Sequence, residues 1–154
     1  MTFYAVIDTN VLVSALLSIY SDTATVQVVN KMFDGTVIPV FSELIIAEYK
    51  AVLSRKKFDF SKDVIERLLS VIQKYGKCIE PTPTGEILTD MKDLPFYEVV
   101  MDAQTDEAYL VTGNIKHFPQ RPFIVTAREF IEIINLTGQK TEDMISVPSE
   151  TEVE

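Results

Sequence analysis

The chain alternates between short apolar segments and longer segments in which apolar residues recur every three or four positions. Short continuous apolar segments are typical of strands buried on both faces, and the longer period is typical of amphipathic helices. The predicted strands are residues 3–7, 37–41, 77–80, 108–111 and 123–125. The predicted helices are residues 11–19, 43–54, 62–75, 95–104 and 127–136, and one that begins at a cap on Thr23 or Thr25 and ends at Gly35.

This alternation predicts an α/β fold, with a parallel central sheet of about five strands and helices on both faces, in a Rossmann-like three-layer arrangement. Pro39 cannot donate a ladder hydrogen bond, so we expect the second strand to lie at an edge or to be irregular there. A chain of 154 residues, 47% of them hydrophobic, predicts one domain over residues 1–138, followed by an acidic C-terminal tail over residues 139–154.

The composition also bears on the compartment. A single cysteine, Cys78, excludes an internal disulfide and favours a reducing cytoplasm. No apolar segment reaches the length that spans a membrane, and the amino terminus lacks the basic region of a signal peptide. We therefore expect a cytoplasmic protein without a membrane partner. Cys78, placed in a predicted buried strand, is expected to be inert.

The net charge of −9 argues against a broad nucleic-acid-binding surface. The charge is uneven, however, because five acids and no base follow from Glu142 onward. A divalent cation bound to a cluster of the remaining acids would offset part of the remaining negative charge. The net charge therefore argues against a nucleic-acid substrate but does not exclude one.

Three acids occupy positions that suggest chemistry. Asp8 directly follows the first strand, at the carboxyl edge where open α/β sheets bind ligands. Glu48 shares the apolar side of its helix, with Leu44, Ile45 and Val52 at helical spacing. The alternatives are that Asp8, Thr9 or Asn10 only caps a helix, and that Glu48 forms a salt bridge with Lys or Arg.

Asp93 is the third acid and directly precedes the helix that contains Pro95. As with Asp8, helix capping is the alternative explanation. Asp90 and Glu98 are nearby competitors for the same role. Because the helix begins at the edge of the predicted sheet, we expect Asp93 to approach Asp8.

The segment Thr112-Gly113-Asn114 ends the fourth strand on that same edge. It supplies a hydroxyl and an amide, and the glycine would permit a close backbone approach. Oxygen ligands that converge without a His/Cys cluster are typical of a Mg²⁺ or Mn²⁺ site, which can serve phosphodiester hydrolysis. The lone His117 is expected to be structural.

Taken together, the chain resembles a PIN domain from about Phe3 to Leu136. The segments that carry the resemblance are residues 6–12 (Val-Ile-Asp-Thr-Asn-Val-Leu), residues 39–42 with Glu48-Tyr49 and residues 52–55, residues 93–97 (Asp-Leu-Pro-Phe-Tyr), and residues 108–118. The most similar subgroup comprises toxin components of bacterial toxin–antitoxin systems.

This resemblance implies a Mg²⁺- or Mn²⁺-dependent ribonuclease with Asp8, Glu48 and Asp93 as metal ligands and Thr112 as an assisting hydroxyl. The sequence departs from the family at the fourth acidic position, where Asn114 stands, and His117 replaces a second acid three residues later. Asn114 and Thr112 would position the metal, water or scissile phosphate. The implied partners are an RNA substrate, an antitoxin protein and a second copy of the chain in a homodimer.

Other interpretations stay open. The fold could serve as a catalytically weak or inactive module that binds RNA or a protein. A phosphotransferase with Asp8 as nucleophile ranks last, because Asn10 stands where that chemistry usually has an acid. The basic turn Arg55-Lys56-Lys57 is either a contact for the RNA backbone or solvated surface.

Overall fold

The computed structural model describes residues 1–138, so the predicted acidic tail over residues 139–154 lies outside the described residues. The strands are β1 (Phe3–Ile7), β2 (Val37–Phe41), β3 (Lys77–Cys78), β4 (Tyr109–Val111) and β5 (Ile124–Val125). The helices are α1 (Thr9–Leu17), α2 (Ala24–Phe33), α3 (Glu43–Leu53), α4 (Lys62–Tyr75), α5 (Leu94–Asp102) and α6 (residues 127–138). Short 3₁₀ turns cover Met91–Asp93, Ala103–Asp106 and Ile115–His117.

All five strands are parallel, in the order β3-β2-β1-β4-β5, which confirms the predicted fold class. The chain leaves β1 in one direction along the sheet for β2 and β3, and in the other direction for β4 and β5. Since such crossovers are right-handed, the two directions place helices on opposite faces of the sheet. The boundary between β1 and β4 is therefore a topological switch point, where open sheets of this kind bind ligands.

The centre of the sheet explains why β1 is continuously apolar. Ala5, Val6 and Ile7 are each at most 1% exposed, since neighbouring strands flank them and helices cover both faces. Helix α3 is tied to the end of this strand, because the buried Tyr49 hydroxyl donates a hydrogen bond to the Ile7 carbonyl oxygen. This bond lies immediately before Asp8 and so fixes the backbone from which that carboxylate projects.

The edge of the sheet differs from the sequence-based expectation. Strand β3 contains only Lys77 and Cys78, and both are exposed. The expectation of a buried, inert Cys78 was wrong on burial, because β3 is an edge strand that pairs only with the last two residues of β2. The Cys78 thiol is slightly buried and lies near the Glu43 carboxylate, and both effects raise its pKa.

Pro39 does not mark a sheet edge, since β2 lies between β3 and β1. Strand β3 pairs with Val40 and Phe41 and stops short of Pro39, so no ladder bond is required on that side. Gly76, at the end of α4, lies against this part of β2: a Cβ there would lie 2.5 Å from the Pro39 carbonyl oxygen. Only glycine allows α4 to end so close to β2.

Across residues 1–138, the helices are too short or too polar for any of them to cross a lipid bilayer.

Tyr49→Phe should lower the free energy of unfolding by about 1–3 kcal/mol, because it removes the donor to a carbonyl inside the core. Urea denaturation of both proteins measures the difference. Tyr75→Phe is the control, since Tyr75 is 64% exposed. Equal losses in the two variants would show that the Tyr49 hydroxyl contributes nothing specific.

Candidate active site

Asp8 and Asp93 both occupy the N-cap positions of helices, yet neither carboxylate accepts a capping hydrogen bond. Ser42 and Ser61 show the alternative, because their hydroxyls accept the backbone N–H groups of Ile45 and Val64. Helix capping therefore does not account for either acid. Their carboxylates are directed into the structure at the carboxyl edge of the sheet.

The Asp8 carboxylate links the two central strands. The Asp8 backbone N–H donates to the Val111 carbonyl oxygen. The Asp8 Oδ2 atom accepts a 2.7 Å hydrogen bond from the Thr112 hydroxyl at the end of β4. Asp8 is 4% exposed and Thr112 is fully buried. The predicted proximity of Asp8 and Thr112 is therefore present in the structure, directly at the switch point.

Asn10 holds the same corner from the first turn of α1. Its Nδ2 atom donates to Asp8 Oδ2 over 3.3 Å, and its Oδ1 atom accepts the Gly113 N–H at 3.1 Å. A Cβ on Gly113 would lie 3.4 Å from Asn10 Oδ1, which is an ordinary contact. The space around residue 113 thus does not itself require glycine, contrary to the expectation of a close backbone approach.

Glu48 is half-buried on α3 and accepts a hydrogen bond from the Thr9 hydroxyl. Within residues 1–138 it has no ion pair with Lys or Arg, so the salt-bridge alternative is not what the structure shows. The spacing of Leu44 and Glu48 suggested that they share one buried surface. Leu44 is instead 67% exposed. The apolar period of α3 continues past the area that the core covers.

Asp93 carries an unsatisfied atom. Its Oδ2 is buried and lacks a hydrogen-bond partner within the described chain. His117 Nδ1 lies 3.4 Å from that oxygen, in the range of an ion pair, and its side chain is 42% exposed. The competitors differ: Glu98 accepts the Thr84 N–H away from this site, whereas Asp90 accepts the Lys92 N–H through one oxygen and lines the same cleft as Asp93.

The electrostatics connect the three acids. Burial is the main reason that the pKa of Asp8 rises from 3.8 to about 6, and the negative charges of Asp93 and Glu48 raise it further, against the Thr112 hydrogen bond. Burial and then the Asp90 charge also raise the pKa of Asp93, while His117 lowers it. The site therefore holds negative charge that its own side chains compensate poorly.

An open cleft of about 660 Å³ lies over this corner and is lined in part by Glu48, Asp93, Thr9 and Asn10. The exposed Asn114 lines a smaller neighbouring cleft of about 330 Å³ together with Thr112. The Asn114 backbone N–H donates to the Thr112 hydroxyl over 3.0 Å. Asn114 thus helps to orient Thr112 through its backbone, and its side chain lies outside the main cleft.

The fit to a divalent cation is mixed. The oxygen donor set, the raised pKa of Asp8 and the Asp93 oxygen that accepts no hydrogen bond within residues 1–138 all suit a hard cation. Against this, no three His, Cys, Asp or Glu side chains of residues 1–138 stand close enough together to enclose an ion. Since Mg²⁺ usually keeps several waters and binds one or two carboxylates directly, a hydrated ion fits the residues present.

Thr9, Asn10 and Tyr49 have contacts in the site that were not predicted from the sequence. Thr9 and Asn10 follow Asp8 directly and were considered only as helix caps. A hydroxyl and an amide in the first turn after a strand-end acid are the signal that could have identified them. Tyr49 gave no such signal, since only the folded chain brings its hydroxyl to β1.

Asp8 makes stability depend on pH. Its pKa is about 6 when folded against an ordinary 3.8, so the folded state binds this proton more tightly, and stability falls as pH rises from about 4 to about 6. In chelator, Asp8→Asn should become more stable relative to the parent protein as the pH rises. The difference between their free energies of unfolding should change by about 2–3 kcal/mol over that range. Urea denaturation at each pH measures it. A constant difference would contradict the raised pKa.

The PIN domain matches the chain over residues 4–116, which is most of its length. The matched region contains β1 to β4 and all five residues named for the site: Asp8, Glu48, Asp93, Thr112 and Asn114. No curated protein and no solved structure matches the chain significantly. The chain belongs to the PIN domain family, whose members are generally nucleases.

Proposed function

We propose that the protein is a Mg²⁺- or Mn²⁺-dependent endoribonuclease in which Asp8, Glu48 and Asp93 hold the metal. The observation that carries the proposal is the buried Oδ2 of Asp93. It has no hydrogen-bond partner among residues 1–138, apart from the ion-pair contact with His117 Nδ1 at 3.4 Å, and it lies among acids close enough to raise the pKa of Asp8. A buried carboxylate oxygen without a donor is costly in a folded protein. A cation beside Asp93 would remove that cost and would also offset the negative charges that raise the pKa of Asp8.

The roles of the chain's own residues follow from their contacts. Thr112 holds one Asp8 oxygen, and Thr9 holds one Glu48 oxygen, so each acid keeps its other oxygen for a ligand. Asn10 fixes the turn between these two contacts. His117 lies against Asp93 and, when protonated, limits the negative charge there. A divalent ion, when bound, supplies Lewis acidity toward the phosphodiester and lowers the pKa of water.

The substrate is proposed from the cleft and from the family. The 660 Å³ cleft is open to solvent, which suits an extended strand of RNA as its occupant. Members of the family act on RNA and other nucleic acids, and the sequence resemblance favours RNA. Asn114, in the neighbouring cleft, is proposed to position the scissile phosphate.

The finer biological role rests on the resemblance alone. We propose a toxin of a toxin–antitoxin pair, with an antitoxin protein as partner and a homodimer as the assembly. The pairing would be supported by a small neighbouring reading frame that encodes a DNA-binding protein, if that protein relieves the growth arrest caused by this chain.

A second candidate is a catalytically weak or inactive module that binds RNA or a protein. The absence of a three-carboxylate metal group among residues 1–138 favours it, as does the amide at position 114. Under this alternative the purified chain would bind RNA without metal-dependent cleavage.

Asp8→Asn, Glu48→Gln and Asp93→Asn should each lower the rate of RNA cleavage in Mg²⁺ or Mn²⁺ by more than about 100-fold, since each removes a charged ligand. Glu43→Gln is the matched control for Glu48→Gln, because Glu43 is an exposed acid on the same helix. The measurement is cleavage of a labelled RNA under single-turnover conditions. Wild-type levels in the three variants, or no cleavage by the parent protein, would reject the proposal.

Asn114→Asp should strengthen Mg²⁺ binding, because a charge replaces a dipole next to Thr112 and ligand charge sets the affinity for hard cations. Calorimetric titration of both proteins with Mg²⁺ and Mn²⁺ gives the two affinities. Asn135→Asp controls for the change in overall charge, because it adds the same negative charge at an exposed residue of α6 that lines neither cleft. Equal or weaker binding by Asn114→Asp would place residue 114 outside the influence of the metal.

A further inference from the structure

The turn that follows α3 combines basic and aromatic residues beside the main cleft. Val52 lines the cleft one helical turn after Glu48, and Phe58 lines it again beyond the end of the helix. Between them, Arg55, Lys56 and Lys57 are all exposed. The backbone is ordered by hydrogen bonds, including those from Phe58 to Arg55 and from Asp59 to Lys56. A fixed loop therefore places the Phe58 ring on the wall of the cleft, with three exposed cations directly before it in the chain.

The ring of Phe58 is stacked in a defined orientation. Its centroid lies 5.3 Å from that of Phe60, with only 9° between the two planes. Asp59, between them, has a left-handed backbone with φ of 52°. Lys57 Nζ lies 5.0 Å from the Phe58 centroid. The loop thus holds two parallel rings with a cation beside them.

The two rings differ in what surrounds them. Phe60 packs against the hydrophobic core, whereas Phe58 is absent from both the core and the side chains packed on it. Phe58 is nevertheless half-buried, because Phe60 and Lys57 cover part of it. Phe60 therefore anchors the pair, and Phe58 presents an aromatic surface that the fold itself does not need.

We propose that Phe58 is a stacking position for an unpaired nucleobase of single-stranded RNA, with Arg55, Lys56 and Lys57 against the adjoining phosphates. This inference rests on the proposed nuclease function and specifies how its substrate is held. Aromatic side chains next to cations are the usual way in which proteins hold single strands. Bases inside a duplex stack on each other, so this position selects unpaired RNA.

Charge explains why this loop is needed. The cleft contains Glu48, Asp90 and Asp93, and the whole chain carries −9, so a polyanion is repelled from most of the surface. Lys92, which also lines the cleft, and the basic turn are local exceptions near those acids. The contact of Lys57 with Phe58 does not block the site, because an exposed cation–π contact is weaker than the stacking of a base on the same ring.

A fluorescent reporter tests the stacking directly. The sequence contains no tryptophan, so Phe58→Trp and the control Phe33→Trp each introduce one indole, the latter at a position that is 45% exposed and outside the cleft. Both are titrated in chelator with a short single-stranded RNA and with an abasic strand of equal length. We expect the RNA to quench Phe58→Trp, and we expect no quenching by the abasic strand or in Phe33→Trp.

Affinity provides the second measurement. Phe58→Ala should weaken binding of the single-stranded RNA by about 5- to 150-fold and leave binding of the abasic strand unchanged. Phe58→Leu should resemble Phe58→Ala, because it keeps an apolar side chain without a ring, and Phe58→Tyr should resemble the parent. Equal affinities for all of these proteins, equal quenching by the abasic strand, or binding of an apolar peptide in place of RNA would overturn the inference.

The outcome is separable from that of the nuclease test, because binding in chelator does not depend on turnover. RNA cleavage by the parent protein without any effect at Phe58 would overturn the stacking position and leave the proposed function standing. Quenching and selective loss of affinity without cleavage would leave the stacking position in a protein that binds RNA and does not cut it.

Discussion

The hydrogen bond from the Thr112 hydroxyl to the Asp8 carboxylate is the contact on which the arrangement of the site depends. It joins the ends of β1 and β4, the two strands between which the chain reverses its direction along the sheet. Asn10 and the Asn114 backbone add bonds around the same corner. Because these partners come from two strands and the first turn of a helix, the position of Asp8 is set by the central sheet and not by a loop.

The same corner is costly for the fold. Burial and two neighbouring acids raise the pKa of Asp8, and among residues 1–138 the buried Asp93 Oδ2 has no hydrogen-bond partner beyond its longer contact with His117. A cluster of this kind works against stability unless a ligand compensates it, which is a common property of functional sites. The compensation available within residues 1–138 is small: hydroxyl and amide donors, and His117 against Asp93. The energetic weakness of the site is thus evidence for what it binds.

Much of the fold followed from the sequence because parallel strands and amphipathic helices have distinct periods; α4 was predicted at its observed bounds. Asp8 and Thr112 could be placed together because both end strands of a parallel sheet. Exposure at the margins could not be predicted, since Leu44 and Cys78 are apolar by type and only the extent of the neighbouring core or strand leaves them uncovered. The contacts of Thr9 and Asn10 depend on side-chain directions that no spacing specifies.

The distance along the chain between Asp8 and Thr112 has a consequence for biosynthesis. The two residues are 104 positions apart, and β4 is held by β5 on its other side. A nascent chain that has emerged only as far as α5 already contains all three acids but lacks the strand that orients the first of them. We therefore expect a translation product that ends before β4 to carry the three acids without the Thr112 bond to Asp8, since that corner forms only after the fourth and fifth strands have left the ribosome.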